Sequence, residues 1–130
     1  MKTKSLKITN FKDLLAWQEG HRLVLLIYYF AKEFPAEEKY ALAAQIKRAV
    51  VSVTSNISEG FGRQGYKEKI HFYYLAQGSL IEVKNHLEIA KDLHYISTEQ
   101  YQKARTQSNH AHQLLQGLIK KTKSLLNPNS

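Results

Sequence analysis

The sequence predicts an all-α fold, an up-down-up-down antiparallel four-helix bundle. Three observations carry that reading. Apolar residues recur every three or four positions through most of the chain, the spacing of one helix face. No stretch alternates apolar and polar residues as a half-buried strand would. The period is interrupted at Pro35, in the glycine-rich stretch 60–65 and just before Ser97, which leaves four segments with short connections. At 130 residues the chain has room for one domain, large enough to bury about two-thirds of its unfolded surface.

The first helix is expected over about residues 11–34. One apolar line runs Phe11, Leu14, Leu15, Val24, Tyr28 and Ala31, and a second runs Leu23, Leu26, Ile27, Phe30 and Phe34. Gly20 costs about 1 kcal/mol against alanine inside such a helix, and Pro35 ends it. The second helix is expected over 38–60, with Leu42, Ile46, Ala49, Val53 and Ile57 on one face and Gly60 ending it in a left-handed conformation. Gly62 and Gly65 then shape the turn. The third, over 66–95, places Tyr66, Ile70, Tyr73, Ala76, Leu80, Val83, Leu87 and Ala90 in line. Ser97 with Gln100 makes a capping box opening the fourth, over 98–126. There Tyr101, Ala104, Ser108, Ala111, Leu115, Leu118, Thr122 and Leu125 repeat at heptad spacing. Residues 1–10 read as a basic tail and 127–130 as a polar one.

Composition excludes several classes of function. Cysteine is absent, which removes disulfides, thiolate metal sites and a cysteine nucleophile. The longest apolar run, 23–31, is less than half of the about 20 residues a bilayer-spanning helix needs. No apolar stretch follows the lysines at the start, so no signal peptide and a cytoplasmic location are expected. The Asn56-Ile57-Ser58 sequon then has no meaning.

The net charge of +8 is concentrated at the chain ends. Lys2, Lys4, Lys7 and Lys12 stand near the start, and Lys103, Arg105, Lys120, Lys121 and Lys123 stand in the last thirty residues, with no acid in either stretch. The middle of the chain is nearly neutral. In an up-down-up-down bundle helix one begins where helix four ends, so seven of these lysines (Lys2, Lys4, Lys7, Lys12, Lys120, Lys121, Lys123) are expected at one pole. Such a pole attracts phosphate without regard to sequence, although lysine-rich ends also serve solubility alone.

The run 23–31 leaves no polar side for two and a half turns, more than a four-helix bundle can cover. An oligomer interface carrying Leu25, Ile27, Tyr29 and Phe30 is expected.

Three motif matches point to chemistry and are outweighed by their context. Gly60-Phe-Gly62-Arg-Gln-Gly65 fits the dinucleotide fingerprint, but that motif needs a preceding strand and here follows a helix. Glu68-Lys-Ile-His71 is half of a di-iron motif that needs a second copy and two further glutamates. Glu82 and His86 are one turn apart with no third ligand, and His110 and His112 point to nearly opposite faces, so no metal and no cofactor are expected. Arg105-Thr-Gln-Ser-Asn-His110 is similar to the R-x4-H signature of HEPN ribonucleases, yet the two residues diverge by about 140° on an unbroken helix.

Helix two also carries a polar stripe: Gln45, Arg48, Ser52, Asn56 and Glu59, with Gly78, Ser79 and Glu82 of helix three on adjoining faces. Serine and asparagine are poor helix formers, so a hydrogen-bonded seam between helices or subunits explains them better than a solvent face does. Gly78 would then admit a neighbouring backbone. No nucleophile–base pair is evident, so no catalytic residue is assigned.

Phe11-x-x-Leu14-x-x-Trp17, Phe34-Pro35-x-x-Glu38-x-Tyr40-x-Leu42-x-x-Gln45-Ile46-x-Arg48-Ala49 and Ser52-Val53-x-x-Asn56-Ile57-x-Glu59-Gly60-x-Gly62-Arg63 resemble the four-helix-bundle proteins encoded in intervening sequences of 23S ribosomal RNA genes. Phe72-x-x-x-Ala76-x-Gly78-Ser79-x-x-Glu82 continues the resemblance, which covers about residues 11–95. Gly65 and Tyr66 depart from it where a Ser or Thr cap is expected. The resemblance implies a homopentamer with a barrel-like outline. It also implies kinship with accessory proteins of diversity-generating retroelements, which bind nucleic acid and a reverse transcriptase. It supplies no catalytic residue.

Together these observations predict a non-enzymatic homo-oligomer whose basic pole contacts RNA or DNA, as an accessory or scaffold factor. A protein-binding scaffold without nucleic acid is the main alternative, and a HEPN-like ribonuclease the enzymatic one.

Overall fold

The computed structural model describes residues 7–126. Four α-helices, α1 (Leu15–Ala31), α2 (Leu42–Gly62), α3 (Tyr66–Asp92) and α4 (Thr98–Leu126), form the fold, and no strand occurs among the described residues. Each helix packs on two others: α1 on α2 and α4, and α3 on α2 and α4. Gln100 of α4 reaches Glu33 just beyond α1, and Gln107 reaches Glu19 near the α1 start, so α1 and α4 run antiparallel. The topology is therefore up-down-up-down.

The core lies on the apolar lines read from the sequence. Leu23, Ile27 and Phe30 of α1 meet Ile46, Val50, Val53 and Ile57 of α2, and Tyr73, Leu80, Val83 and Leu87 of α3 close over them. In α4 the line Tyr101, Ala104, Ser108, Ala111, Leu115 and Thr122 is buried, but Ile119 rather than Leu118 continues it, and Leu125 is exposed. The heptad drifts because 3.6 residues per turn do not match a repeat of 3.5 over seven turns.

Helix boundaries depart from expectation where side chains intervene. The first segment is not continuous. A short 3-10 turn, Phe11–Asp13, is capped by Asn10, whose Oδ1 accepts from Lys12 N at 2.9 Å, and extended Leu14 (φ −75°, ψ 127°) separates it from α1. At the other end α1 stops at Ala31, and the tighter bonds Glu33 N to Phe30 O and Phe34 N to Ala31 O carry the chain to Pro35, before which Phe34 is steered away from helical angles. A second 3-10 turn, Ala36–Glu38, delays α2 to Leu42. The Glu38 carboxylate caps that start, accepting from Leu42 N at 3.1 Å and from the Tyr95 hydroxyl at 2.7 Å. The Ser97–Gln100 capping box is present, with both reciprocal bonds at 2.9 and 3.0 Å.

Gly60 does not end α2. It lies inside the helix, and a Cβ there would come within 2.7 Å of the Tyr73 ring and 3.0 Å of Phe72 Cβ. Its role is close approach of α3, not a left-handed turn. No described glycine has positive φ; Gly65 is ordinary extended backbone, and the one positive φ belongs to His94. Arg63, extended, ends α2.

Candidate nucleic-acid interface

The antiparallel pairing of α1 with α4 puts the beginning of α1, the α2–α3 turn and the end of α4 at one pole. Lys7 and Lys12 are exposed on the approach to α1, and Lys120, Lys121 and Lys123 are exposed on the last turns of α4. Lys2 and Lys4 lie outside the described residues. Lys120 and Lys123 border a groove between α3 and α4 of about 350 Å3, with Tyr74, Gln77 and Gln116 on its walls. The Lys123 ammonium sits 5.0 Å from the Tyr74 ring centroid.

Three further cations stand in or beside the α2–α3 turn and were missed by reading the chain ends alone. Arg63 pairs with Glu59 at 2.7 Å and lies 4.6 Å from the Phe72 ring centroid. Lys67 is exposed. Lys69 is committed to structure: its ammonium donates to the Phe61 carbonyl at 2.6 Å at the end of α2, and burial pushes its pKa down. The signal that could have found Arg63 and Lys67 was topological, since the second turn of such a bundle shares a pole with both termini. Asp13, the nearest acid on the α1 side, is held by Thr9 N and Asn10 N at 3.0 and 3.1 Å.

The polar stripe divides. Ser52 and Ser79 join α2 to α3 through their hydroxyls at 2.8 Å, and the Asn56 amide donates to the Ser52 carbonyl and hydroxyl at 2.9 and 3.0 Å. Gln45, Arg48, Glu59 and Glu82 are exposed and lie outside that joint within the chain. Glu59 is taken by Arg63, and Glu82 meets buried His86 Nε2 at 3.2 Å. Among the described residues no neighbour lies within 4 Å of a Cβ built on Gly78, so no other described helix packs its backbone there.

The apolar stretch of α1 divides as well. Ile27 and Phe30 belong to the bundle's own core, at 1% and 5% exposure, so neither offers an outer surface. They fall on the line of Leu23, whereas Leu25 and Tyr29, one turn apart on the opposite side, remain 58% and 61% exposed.

The motif matches stay apart in space. Arg105 borders a groove toward α3 with Lys84, Asn85 and Tyr101, while His110 faces Glu19 of α1 at 3.9 Å. Glu68 and His71 are both exposed. The Lys84 ammonium donates to His112 Nδ1 at 2.8 Å, and burial together with that charge pushes the His112 pKa down. Among the described residues no three His, Asp or Glu side chains gather as metal ligands. No helix among them is long and apolar enough to cross a membrane.

Comparison with known proteins places this bundle. No curated protein matches the sequence. A solved structure of a protein of unknown function from the S23 ribosomal protein family of Bacteroides thetaiotaomicron superposes with a TM-score of 0.77 at 26% identity, covering 84% of this chain and 98% of that one. The model of the 23S rRNA-intervening sequence protein family matches residues 12–117. That match takes in the greater part of all four helices and most of the ordered polar positions of α2, and the chain belongs to the 23S rRNA-intervening sequence protein family.

Proposed function

We propose that the protein is a non-enzymatic, homo-oligomeric accessory factor that binds RNA or DNA through its basic pole, in the cytoplasm. The observation that carries the proposal is the cluster of exposed lysines at that pole: Lys7, Lys12, Lys120, Lys121 and Lys123 make no ion pair among the described residues. A cluster of uncompensated ammonium groups gains little for a folded monomer and binds phosphate by releasing counterions. Lys2 and Lys4 belong to the same proposal by sequence. A homopentamer, which the family resemblance implies, would repeat the pole as a ring and multiply weak contacts by avidity. Exposed Leu25 and Tyr29 are the residues proposed to join its subunits.

The test is salt-dependent binding of an RNA duplex by the parent and by a Lys120→Gln, Lys121→Gln, Lys123→Gln protein. The parent's affinity should fall steeply with salt, and the variant should lose about 2–3 from the log–log slope, at 0.7–0.9 per phosphate contact. Light scattering should give the mass of a pentamer of 15.0 kDa chains for both. An unchanged slope in the variant rejects the pole. A parent that binds no nucleic acid at low salt leaves the second reading, a scaffold for another protein such as a reverse transcriptase, which the uncovered Leu25 and Tyr29 favour.

A further inference from the structure

We propose that the groove between α1 and α2 is a second nucleic-acid site, a stacking platform for the unpaired bases of single-stranded RNA or DNA. The groove encloses about 440 Å3 and is bordered by Tyr28 of α1, Lys39 and Tyr40 of the α1–α2 connection, and Lys47, Arg48 and Val51 of α2. It lies toward the pole opposite the lysine cluster, beside the start of α2. Tyr40 is 88% exposed and Tyr28 40%, so two aromatic faces are left to solvent. Each carries a cation at its ring, Lys39 at 5.5 Å from the Tyr40 centroid and Lys47 at 5.2 Å from that of Tyr28.

Charge decides the occupant. Arg22, Arg63 and Lys91 are matched with Glu19, Glu59 and Glu88, whereas the described cations of this groove, like the described lysines of the opposite pole, are not. Among the described residues Lys39, Lys47 and Arg48 have no carboxylate within 4.0 Å. Two copies meeting symmetrically through this groove would bring three cations against three, a costly juxtaposition. The head-to-tail contact of the proposed pentamer is assigned to Leu25 and Tyr29 instead. A single strand satisfies both features, since its bases stack on aromatic rings and its phosphates neutralise the lysines and arginine. A duplex hides its base faces and gains only the charge. The proposal rests on the chain binding nucleic acid, but not on the lysine pole as the means.

The experiment measures fluorescence anisotropy with a labelled oligouridylate and with an RNA duplex of equal phosphate count. The parent should favour the single strand. Tyr28→Ala with Tyr40→Ala should weaken single-strand binding about tenfold or more, the value of one to two stacked bases, and change duplex binding by less than about twofold. Tyr28→Phe with Tyr40→Phe should retain the preference, because stacking needs the ring and not the hydroxyl. Tyr40→Ala alone keeps the test sound if the double variant folds poorly, since so exposed a ring contributes little to the bundle. Equal parent affinity for both probes overturns the platform, and so does equal loss on both in the alanine variants. A smaller mass in light scattering with unchanged single-strand affinity would make the groove a subunit contact instead. The lysine-to-glutamine variant at the pole should weaken both probes alike, so failure of the pole and failure of the platform are read separately.

Discussion

The two poles of the bundle use their charges in opposite ways. At the pole holding the α1–α2 and α3–α4 connections, a set of polar groups is committed to fastening those connections. Glu38 accepts from Leu42 N and Tyr95, Tyr101 donates to Glu88, which also pairs with Lys91, and Gln100 joins Ser97 to Glu33. Phe34 packs on Tyr95 with ring centroids 5.5 Å apart. At the other pole Lys69 closes the end of α2, but the lysines around it make no ion pairs among the described residues. One pole is a clasp for two connections with its unpaired cations set aside in the α1–α2 groove; at the other the unpaired lysines stand at the helix ends themselves. That unpartnered charge is what supports the proposed contact with nucleic acid.

Substitutions in the α2–α3 turn should break this contrast most strongly, because there the basic pole depends on packing. Gly60→Ala places a Cβ 2.7 Å from the ring of fully buried Tyr73. The overpacking cost of about 1–3 kcal/mol exceeds the advantage of roughly 1 kcal/mol that alanine has over glycine in a helix. A lower melting temperature is expected. A rise would mean that α3 can back away, and that the pole is not rigidly held.

Gly78→Ala is the matching control. Its Cβ meets nothing among the described residues, so the isolated subunit should gain about 0.5–1 kcal/mol. Thermal melting combined with light scattering sharpens the reading. If the oligomer weakens while the subunit gains stability, the outer side of α3 is an assembly surface.

The Ser52–Ser79 joint should give a smaller effect. Ser52→Ala removes the partner of the Ser79 hydroxyl and one of the two acceptors of the Asn56 amide. About 1 kcal/mol of stability should be lost in denaturant unfolding. No loss would mean that water replaces the hydroxyl at no cost, and the stripe is then a solvent face.

The clasp should yield the smallest change, and one that depends on pH. Hydrogen bonds from Tyr95 and then from Leu42 N hold the Glu38 carboxyl below its ordinary pKa. A carboxylate with a depressed folded pKa contributes stability above its unfolded value, and that contribution is lost as pH falls through the folded one. Tyr95→Phe should therefore lower the melting temperature at neutral pH, with the difference from the parent shrinking in acid. A difference that persists unchanged at low pH would place the effect in the hydroxyl itself, independent of the charge on the carboxylate.

Much of this molecule is legible from local spacing. The four helices, their order, the Ser97–Gln100 box and most of the core follow from residues within a turn or two of each other, because helical periodicity and capping are local physics. The family, too, is carried by short ordered motifs. The misreadings occur where two distant segments meet. Gly60 looks like a helix terminator until Tyr73 is seen against it, and Glu38 looks like the first turn of α2 until it is found capping that helix and holding Tyr95. Ile27 and Phe30 cannot be told from Leu25 and Tyr29 in an unbroken apolar run, since the side facing the core is chosen by where α2 and α4 lie.

The sequence by itself thus determined the all-α class, the antiparallel order and the sign of the charge at the chain ends. Only the tertiary structure decided which other cations join the terminal lysines and which stand apart from them. It added Arg63 and Lys67 to the lysine pole, withdrew Lys69 into a helix cap, and set Tyr28 beside Tyr40, Lys47 and Arg48. The reason is physical: helical period is written in neighbours along the chain. A surface is made by residues that become neighbours only when packed helices fix their mutual register.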